Sequence, residues 1–254
     1  KKLAQAQEAI EFLLYPELKG TDIVYKDEFD TTASESCYSN DYAITGNRNT
    51  GNWYVENGMM VNYSPDTIGK PTSFMASNAL LEKDFEIKSV SLDVQAIDPL
   101  VWLGFDFCFR NNERYRFWIC TKTNVGGGNR IVLSKNNTNL VTKYETDSTK
   151  WFKTGEWYNL RITLDNGLIK CYVDDELWIE YQDVPTVTND EILTHGSITL
   201  TCSENWGKFD NLVIRGTELT YEPEDIVNIN TDLEPGEYTD NFNDETAGED
   251  PSHW

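Results

Sequence analysis

The sequence predicts an all-β fold, an antiparallel two-sheet β-sandwich of the jelly-roll kind with one short N-terminal helix. About ten to thirteen short segments alternate apolar and polar residues, as strands with one buried face do. Turn residues separate these segments, and no helical pattern lies between them, which disfavours a parallel sheet. A chain of 254 residues is also long enough to build one stable core without disulfides.

The only helical pattern lies in residues 1–22, which we assign to a helix and a linker. Pro16 ends the pattern because proline cannot continue a helix. The apolar residues of the helical stripe are Leu3, Ala6, Ile10, Leu13 and Leu14. No other helix is predicted to pair with this one. We therefore expect it to pack on an edge of the sandwich or to belong to a preceding module.

Residues 23–216 carry the strand pattern of the sandwich. WYVENGMMVNYS, residues 53–64, predicts a hairpin with a type I′ turn at Asn57 and Gly58. Residues 85–97 predict one long strand. The phase of its alternation slips near Ser89, which indicates a β-bulge.

The central hairpin is predicted in VWLGFDFCFRNNERYRFWIC, residues 101–120. Its odd-numbered positions are apolar on both strands: Val101, Leu103, Phe105, Phe107, Phe109, Tyr115, Phe117 and Ile119. A turn centred on Asn112 keeps these residues on one face, which we assign to the core. This register places Cys108 opposite Arg116 and Cys120 opposite Gly104.

The opposite face of this hairpin is the candidate carbohydrate-binding surface. Its even-numbered residues are Trp102, Gly104, Asp106, Cys108, Arg116, Trp118 and Cys120. Aromatic rings can stack on sugar rings, while Asp106 and Arg116 can hydrogen-bond sugar hydroxyls. Two alternatives remain open from the sequence. Another strand or loop can cover the tryptophans, since large aromatics are highly buried on average, and Asp106 can pair with Arg116.

A second hairpin is predicted from its Asn-Gly turn in WYNLRITLDNGLIKCYVDDELWIEY, residues 157–181. With Asn166 and Gly167 at the turn, apolar residues oppose one another in three pairs. The pairs are Leu164 with Ile169, Ile162 with Cys171, and Leu160 with Val173. The residues of the other face are Trp157, Asn159, Arg161, Lys170 and Tyr172. We add Arg161 to the candidate sugar-binding residues as a further hydrogen-bond donor.

The composition limits the partners that the chain can have. With 43 acidic and 21 basic residues, its net charge is −22, which excludes a general nucleic-acid-binding or anionic-membrane surface. No apolar run is long enough to span a membrane. The charge suits a secreted or cell-surface protein and permits calcium, which prefers oxygen ligands. The five cysteines form no metal-type cluster, and we expect buried free thiols.

The C-terminal part predicts a linker and a repeat. Residues 217–236 are an acidic linker. YTDNFND at residues 238–244 then repeats the pattern of YKDEFDT at residues 25–31. We interpret residues 237–254 as the start of a second, truncated sandwich, or alternatively as a strand added to the first one.

Three segments together resemble the concanavalin A-like lectin/glucanase superfamily. They are the D-x-F-(D/N) opening, GEWYNLRITLDNGLIKCYVDDELW, and GSITLTCSENWGKFDNLVI. The branch that the chain most resembles contains 3-keto-disaccharide hydrolase domains, levan-binding modules and laminin G-like domains. The resemblance covers about residues 25 to 215 and implies the fold more specifically than the function.

The resemblance also implies a structural Ca²⁺ site where the first and last strands meet. The matching residues are Asp27, Glu28 and Asp210, whose carboxylates are suitable oxygen ligands. The alternative is that Asp210 only caps a bend through a side-chain hydrogen bond.

We derive three functional hypotheses from these patterns. The first is a non-catalytic carbohydrate-binding module of a multimodular glycan-active protein, which would bind a glycan by aromatic stacking. The second is a catalytic hydrolase of the 3-keto-disaccharide type. It needs two carboxylates facing each other, as glycosidases have about 5 to 10 Å apart. The third is a spacer or interaction domain, which a fully covered outer face would favour.

Overall fold

The computed structural model describes most of the first 220 residues. The described ranges are 2–39, 47–48, 52–63, 75–97, 101–121, 129–185, 191–203 and 206–220. Lys1–Leu219 form one compact unit. The truncated repeat predicted for residues 237–254, and nearly all of the predicted linker, lie outside the described residues.

One helix, three 3-10 turns and sixteen strands lie in the described part of the chain. Helix α1 spans Lys2–Leu14, and the 3-10 turns span Pro16–Leu18, Thr32–Cys37 and Ser148–Lys150. The strands are β1 Asp22–Asp27, β2 Tyr38–Ser39, β3 Asn47–Arg48, β4 Trp53–Glu56, β5 Met59–Tyr63, β6 Met75–Leu80, β7 Phe85–Ala96, β8 Trp102–Arg110, β9 Glu113–Cys120, β10 Arg130–Lys135, β11 Thr138–Tyr144, β12 Trp157–Asp165, β13 Leu168–Val173, β14 Glu176–Gln182, β15 His195–Ser203 and β16 Trp206–Glu218.

The strands form two sheets that share one core. Sheet A has the order β14-β13-β12-β7-β16, with β1 and the β5–β4 hairpin on the other side of β16. Sheet B has the order β11-β10-β9-β8-β15-β6, with β2 and β3 beyond β6. The start of β15 pairs with β7, so the sheets join there. Every described pairing is antiparallel except β3 with β6, and the predicted all-β jelly-roll sandwich is confirmed.

The core consists of the inward-facing residues of both sheets. Its largest fully buried side chains include the phenylalanines Phe85, Phe105, Phe107, Phe117 and Phe209. Full burial of one such side chain stabilises the fold by about 1.5–3 kcal/mol. Because these rings lie between the sheets, each strand can direct only its alternate residues outward.

The hairpin of β12 and β13 has the predicted register. Leu160 pairs with Val173, Ile162 with Cys171, and Leu164 with Ile169, and all six side chains are buried. The turn residues Asn166 and Gly167 have φ angles of 47° and 81°, as a type I′ turn requires. The other predicted Asn-Gly turn, at residues 57–58, likewise connects β4 to β5. The predicted bulge near Ser89 is also present, as a shift in the pairing of β7 with β16.

Apart from Cys108 and Phe109, the central hairpin keeps the predicted faces, but it does not have the predicted register. Asp106, rather than Cys108, lies opposite Arg116, and Cys120 lies opposite Trp102 rather than Gly104. The reason is a bulge before the turn, where Cys108 has a φ of 52° and the pairing shifts on both neighbouring strands.

The bulge also exchanges the faces of Cys108 and Phe109. The sequence predicts Phe109 in the core and Cys108 on the outer face. Cys108 joins the core cluster, whereas Phe109 packs against Ala79 on the outside of sheet B. Gly196 allows β15 to approach this bulge, since a Cβ atom there would lie 2.5 Å from the carbonyl carbon of Cys108.

The N-terminal segment packs on the outer face of sheet A, not on an edge as one expectation had it. Glu11 bridges two arginines of this face, with Oε1 2.5 Å from Nη1 of Arg161 and Oε2 2.6 Å from Nη2 of Arg215. Tyr15 contacts Tyr172 edge-on at 4.9 Å between ring centroids. The apolar residues Ile10, Leu13 and Leu14 are exposed instead. The segment therefore docks mainly through charge and aromatic contacts.

We predict that Glu11→Gln lowers the free energy of unfolding by about 2 kcal/mol, the scale of hydrogen bonds to charged groups. Burial raises the pKa of Glu11, but Arg215 and Arg161 outweigh it and leave the pKa lowered from 4.5. The contribution is therefore present above pH 4.5 and is lost as the pH falls through the lowered pKa. Thermal melts at several pH values measure both effects.

Glu8→Gln is the matched control for Glu11→Gln. Glu8 lies on the same helix, but its side chain is about half exposed and 4.0 Å from Arg215. We expect a change of about 0–1 kcal/mol, as for surface ion pairs. Equal melting temperatures for the two variants would contradict the bridge.

All five cysteines lie within described ranges, and none of them is in a disulfide. Cys37 is exposed, and Cys108, Cys120, Cys171 and Cys202 are buried. Burial raises the pKa of the Cys108 and Cys171 thiols, which disfavours the reactive thiolate.

We predict that a thiol reagent labels Cys37 alone in the folded protein and all five cysteines after denaturation. Mass spectrometry of the labelled chain measures the number of modified thiols. Labelling of Cys171 at the rate of Cys37 in native buffer would contradict its place in the core.

Candidate functional site

The outer face of sheet B is the side of strands β6, β15, β8 and β9 that points away from the core. Strand pairing places residues of this face in two adjacent rows. The first row contains Ser77, Thr201, Gly104 and Trp118, and the second contains Ala79, Thr199, Asp106 and Arg116. Gly104 is needed in its row because a Cβ atom there would lie 2.1 Å from the carbonyl oxygen of Phe117.

Asp106 occupies the centre of this face and binds two arginines. Its Oδ1 lies 2.5 Å from Nε of Arg116, and its Oδ2 lies 2.9 Å from Nη2 of the same side chain. Nε of Arg114 lies 3.2 Å from Oδ2, and Nη2 of Arg114 donates to Oδ1 of Asn137 at 2.7 Å. Burial lowers the pKa of Arg114, and Asp106 offsets part of this effect. The salt bridge between Asp106 and Arg116, left open by the sequence, is therefore present.

The two tryptophans of the face stack on each other. The ring centroids of Trp102 and Trp118 lie 3.7 Å apart with an interplanar angle of 25°. The guanidinium of Arg130 lies 4.5 Å above the ring of Trp102 and 5.9 Å from the ring of Tyr144. Aromatic and guanidinium planes thus continue in series from Trp118 towards the exposed Tyr144.

Four polar groups on this face are buried without a hydrogen-bond partner in the described part of the chain. They are the hydroxyls of Ser77, Thr199 and Thr201 and the indole Nε1 of Trp118. Each hydroxyl can both donate and accept, and the indole can only donate. Buried polar groups normally have partners, so a cluster of four requires an explanation such as a bound water or ligand.

The structure places the predicted site residues differently from the expected shallow groove. Trp102, Asp106, Arg116 and Trp118 do share one face, but Asp106 is 0% exposed and Arg116 and Trp118 are 8% exposed. The centre of this face is therefore closed to solvent, whereas Trp102 is partly exposed. Arg161 does not join these residues, because it lies on the outer face of sheet A and binds Glu11.

A catalytic carboxylate pair is not assembled in the described part of this face. Asp106 is the only carboxylate in the two rows, and the charge of Arg116 and Arg114 neutralises it. A glycosidase needs a second carboxylate across the scissile bond. The described geometry therefore gives the hydrolase hypothesis no support.

The predicted calcium ligands lie where β1 meets β16, since Asp27 pairs with Leu212. The carboxylate of Asp27 already has protein partners. Its Oδ1 accepts hydrogen bonds from the Phe29 amide and the Ser34 hydroxyl, both at 2.8 Å. Within the described ranges, no group of three His, Cys, Asp or Glu side chains is arranged to hold a metal ion.

The other two predicted ligands also have local partners. Glu28 forms an ion pair with Lys26. Oδ1 of Asp210 accepts from the Asn211 amide at 2.7 Å, as the bend-cap alternative requires. Burial raises the pKa of Asp210, and the charge of Asp93 adds to the increase. Calcium binding therefore stays a prediction from the sequence.

A melting experiment tests the calcium prediction. If Ca²⁺ binds the folded protein, EDTA should lower the melting temperature and excess Ca²⁺ should restore it. At a hundredfold excess over Kd the gain is about 2.7 kcal/mol. Asp210→Asn is expected to remove the response. Identical melting curves in EDTA and in excess Ca²⁺ would leave Asp210 as a local cap only.

Comparison with known proteins supports the fold. No protein-family model matches the chain, and no curated protein sequence matches it either. Among solved structures, the laminarinase catalytic domain from Thermotoga petrophila RKU-1 is 11% identical with a TM-score of 0.54, and the match covers 78% of this chain and 98% of that one. A Bacillus subtilis protein of unknown function with a galectin-like fold is also 11% identical with a TM-score of 0.54, over 79% and 100% of the two chains.

A third solved structure is the carbohydrate-binding module CBM66 from Bacillus subtilis. It is 13% identical over 66% of this chain and 92% of that chain, with a TM-score of 0.49. The matches at higher TM-score show that the chain has the concanavalin A-like jelly-roll fold. Proteins with this fold include glycan-active ones, and the fold does not decide which activity this chain has.

The helices within the described ranges give no sign of a membrane span, because none is both long and apolar enough to cross a bilayer.

Proposed function

We propose that this chain is a non-catalytic glycan-binding module of a secreted or cell-surface multimodular protein, and that it binds sugar on the outer face of sheet B. One observation carries the proposal: Ser77, Thr199, Thr201 and Trp118 hold unpartnered polar atoms in two adjoining rows of the described face. The glucanases of the same fold make a glycan a reasonable ligand class.

The energetics favour a ligand rich in hydroxyl groups. A buried donor or acceptor without a partner costs about 1–3 kcal/mol, so four of them together are expensive for a protein of ordinary stability. A sugar offers hydroxyls that donate and accept, and these match the mixed requirements of Thr199, Thr201 and Ser77. A ligand that satisfies these atoms recovers the cost on binding.

Asp106 and Arg116 have a supporting role in this proposal. Their bidentate ion pair fixes both side chains on the sheet before any ligand arrives. A fixed pair avoids the entropy cost of ordering long side chains on binding. The stacked rings of Trp102 and Trp118 likewise hold each other in one orientation.

The closure of this face favours a second candidate, a spacer or interaction domain without a sugar ligand. Asp106 and Thr201 are fully buried, so solvent does not reach them in this structure. The two candidates differ in one measurable respect. Only a glycan-binding module loses affinity for a glycan when a single hydroxyl on this face is removed.

We predict that Thr201→Val weakens glycan binding about tenfold and leaves stability unchanged or higher. Valine has nearly the shape of threonine but has no hydroxyl, so it removes both the ligand contact and the unsatisfied buried group. A tenfold change corresponds to about 1.4 kcal/mol. A glycan array identifies the ligand, and calorimetric titration with a thermal melt measures the two effects.

Thr217→Val is the matched control, because Thr217 lies exposed on β16 of sheet A. It should change neither affinity nor melting temperature. Equal affinities of the Thr201→Val variant and the native chain would exclude this face as the site. If the native chain binds no glycan on the array, the proposal is wrong and the spacer hypothesis replaces it.

A further inference from the structure

A buried lysine and a buried aspartate meet at one end of the sandwich. Lys135 ends β10 in sheet B, and Asp183 follows β14 of sheet A. Nζ of Lys135 lies 2.8 Å from Oδ2 of Asp183, and the two side chains are 4% and 1% exposed. The contact joins residues that are 48 positions apart in the chain.

Tyr115 contacts the same carboxylate oxygen. It lies opposite Lys135 in the pairing of β9 with β10 and is fully buried. Its hydroxyl donates to Oδ2 of Asp183 and accepts from the Leu193 amide at 3.3 Å. Burial, and then the hydrogen bond to Asp183, raise the pKa of Tyr115, so the hydroxyl stays protonated and remains a donor.

This arrangement is costly as an ordinary ion pair. Removing two charges from water carries a large desolvation cost, which is recovered only if the remaining lone pairs also have partners. Oδ1 of Asp183 is buried and has no hydrogen-bond partner in the described part of the chain. A neutral amide carbonyl in the same place would leave a much smaller charge unsolvated than a carboxylate does.

We propose that Lys135 and Asp183 condense into an amide, an intramolecular isopeptide crosslink, with Tyr115 as the proton relay. The inference does not depend on glycan binding. It concerns residues at the end of the sandwich, whereas the proposed sugar site lies on the outer face of sheet B.

The reaction needs no oxidant or other co-reactant. One proton passes from Nζ to Oδ2, which gives a neutral amine beside a neutral carboxylic acid. The lone pair of Nζ then attacks Cγ of Asp183, and the bond between Cγ and Oδ2 breaks. Oδ2 leaves as water, with its own proton and one from the Tyr115 hydroxyl. Tyr115 takes the second proton of Nζ in return, so one amide and one water are formed.

The fold holds the reacting groups together and keeps water away. Asp183 is fixed by its amide, which donates to the Gly167 carbonyl at 2.8 Å, and Nζ of Lys135 is further held by the Glu191 carbonyl. Fixing two reactants in this way raises their effective concentration greatly. The released water leaves to bulk solvent, and the burial of the site then protects the amide from hydrolysis.

The crosslink would join the two sheets covalently. Lys135 belongs to sheet B, and Asp183 directly follows the outermost strand of sheet A. Such a link lowers the conformational entropy of the unfolded chain. It should therefore raise the melting temperature, as a disulfide closing a loop of similar length does.

The mass of the denatured, full-length chain tests the proposal. We expect it to be lower than the sequence mass by one water molecule, and tryptic mapping should yield one branched peptide that joins Lys135 to Asp183. The Lys135→Arg and Asp183→Ala variants should each have the full mass calculated from their own sequence, without the loss of water. A chain that has the full sequence mass after prolonged incubation in its folded state would overturn the proposal.

Two controls make the result specific. A succinimide at another aspartate also loses one water, but it leaves the two peptides unlinked, so a mass loss without the branched peptide counts against the crosslink. Tyr115→Phe keeps the buried ring and removes only the hydroxyl. We expect the crosslinked fraction of this variant to fall at least tenfold at early times, and an unchanged rate of crosslinking would overturn the relay role of Tyr115.

Discussion

The structure depends on one constraint, the shared core between two sheets. Because phenylalanines from both sheets fill that core, every strand must direct its polar residues to one of two outer faces. Each outer face contains one carboxylate that lies between two arginines. On sheet A, Glu11 lies between Arg161 and Arg215, and on sheet B, Asp106 lies between Arg116 and Arg114. A chain with a net charge of −22 thus holds four of its guanidinium groups in buried or partly buried pairs.

Local turn chemistry explains which parts of the fold the sequence predicts correctly. Asn166 and Gly167 require one turn type, and that turn sets the register of β12 and β13 without any information from elsewhere in the chain. The central hairpin differs because its register depends on a bulge at Cys108. No turn residue marks this bulge, and it exists where β15 approaches through Gly196, a contact between residues distant in sequence. Its alternation still predicts the faces of the residues outside the bulge, since the register error of two residues leaves their parity unchanged.

The candidate site shows the same division between local and distant information. Trp102, Asp106, Arg116 and Trp118 come together because they belong to one hairpin. Arg161 was wrongly grouped with them, because alternation identifies an outward residue but not the sheet to which it belongs. The threonines of SITLTC alternate with apolar residues and so indicate an outward row. Only the pairing of β15 with β8, however, shows that Thr199 lies beside Asp106.

Unpartnered polar atoms indicate a ligand site when several of them lie together on one surface. A few elsewhere in the core do not. The buried Oδ1 of Asn62 and the indole Nε1 of Trp53, the residue opposite it in the β4–β5 pairing, also have no partner among the described residues, but the amide nitrogen of Asn62 reaches Sγ of Cys202 at 3.3 Å. Two such groups cost less than the four on the outer face of sheet B, and a domain can tolerate them. Ser77, Thr199 and Thr201 instead occupy adjoining positions on two neighbouring strands, so their costs add in one place. A shared partner removes all of these costs at once, and for this reason we assign a ligand to the outer face of sheet B and none to Asn62.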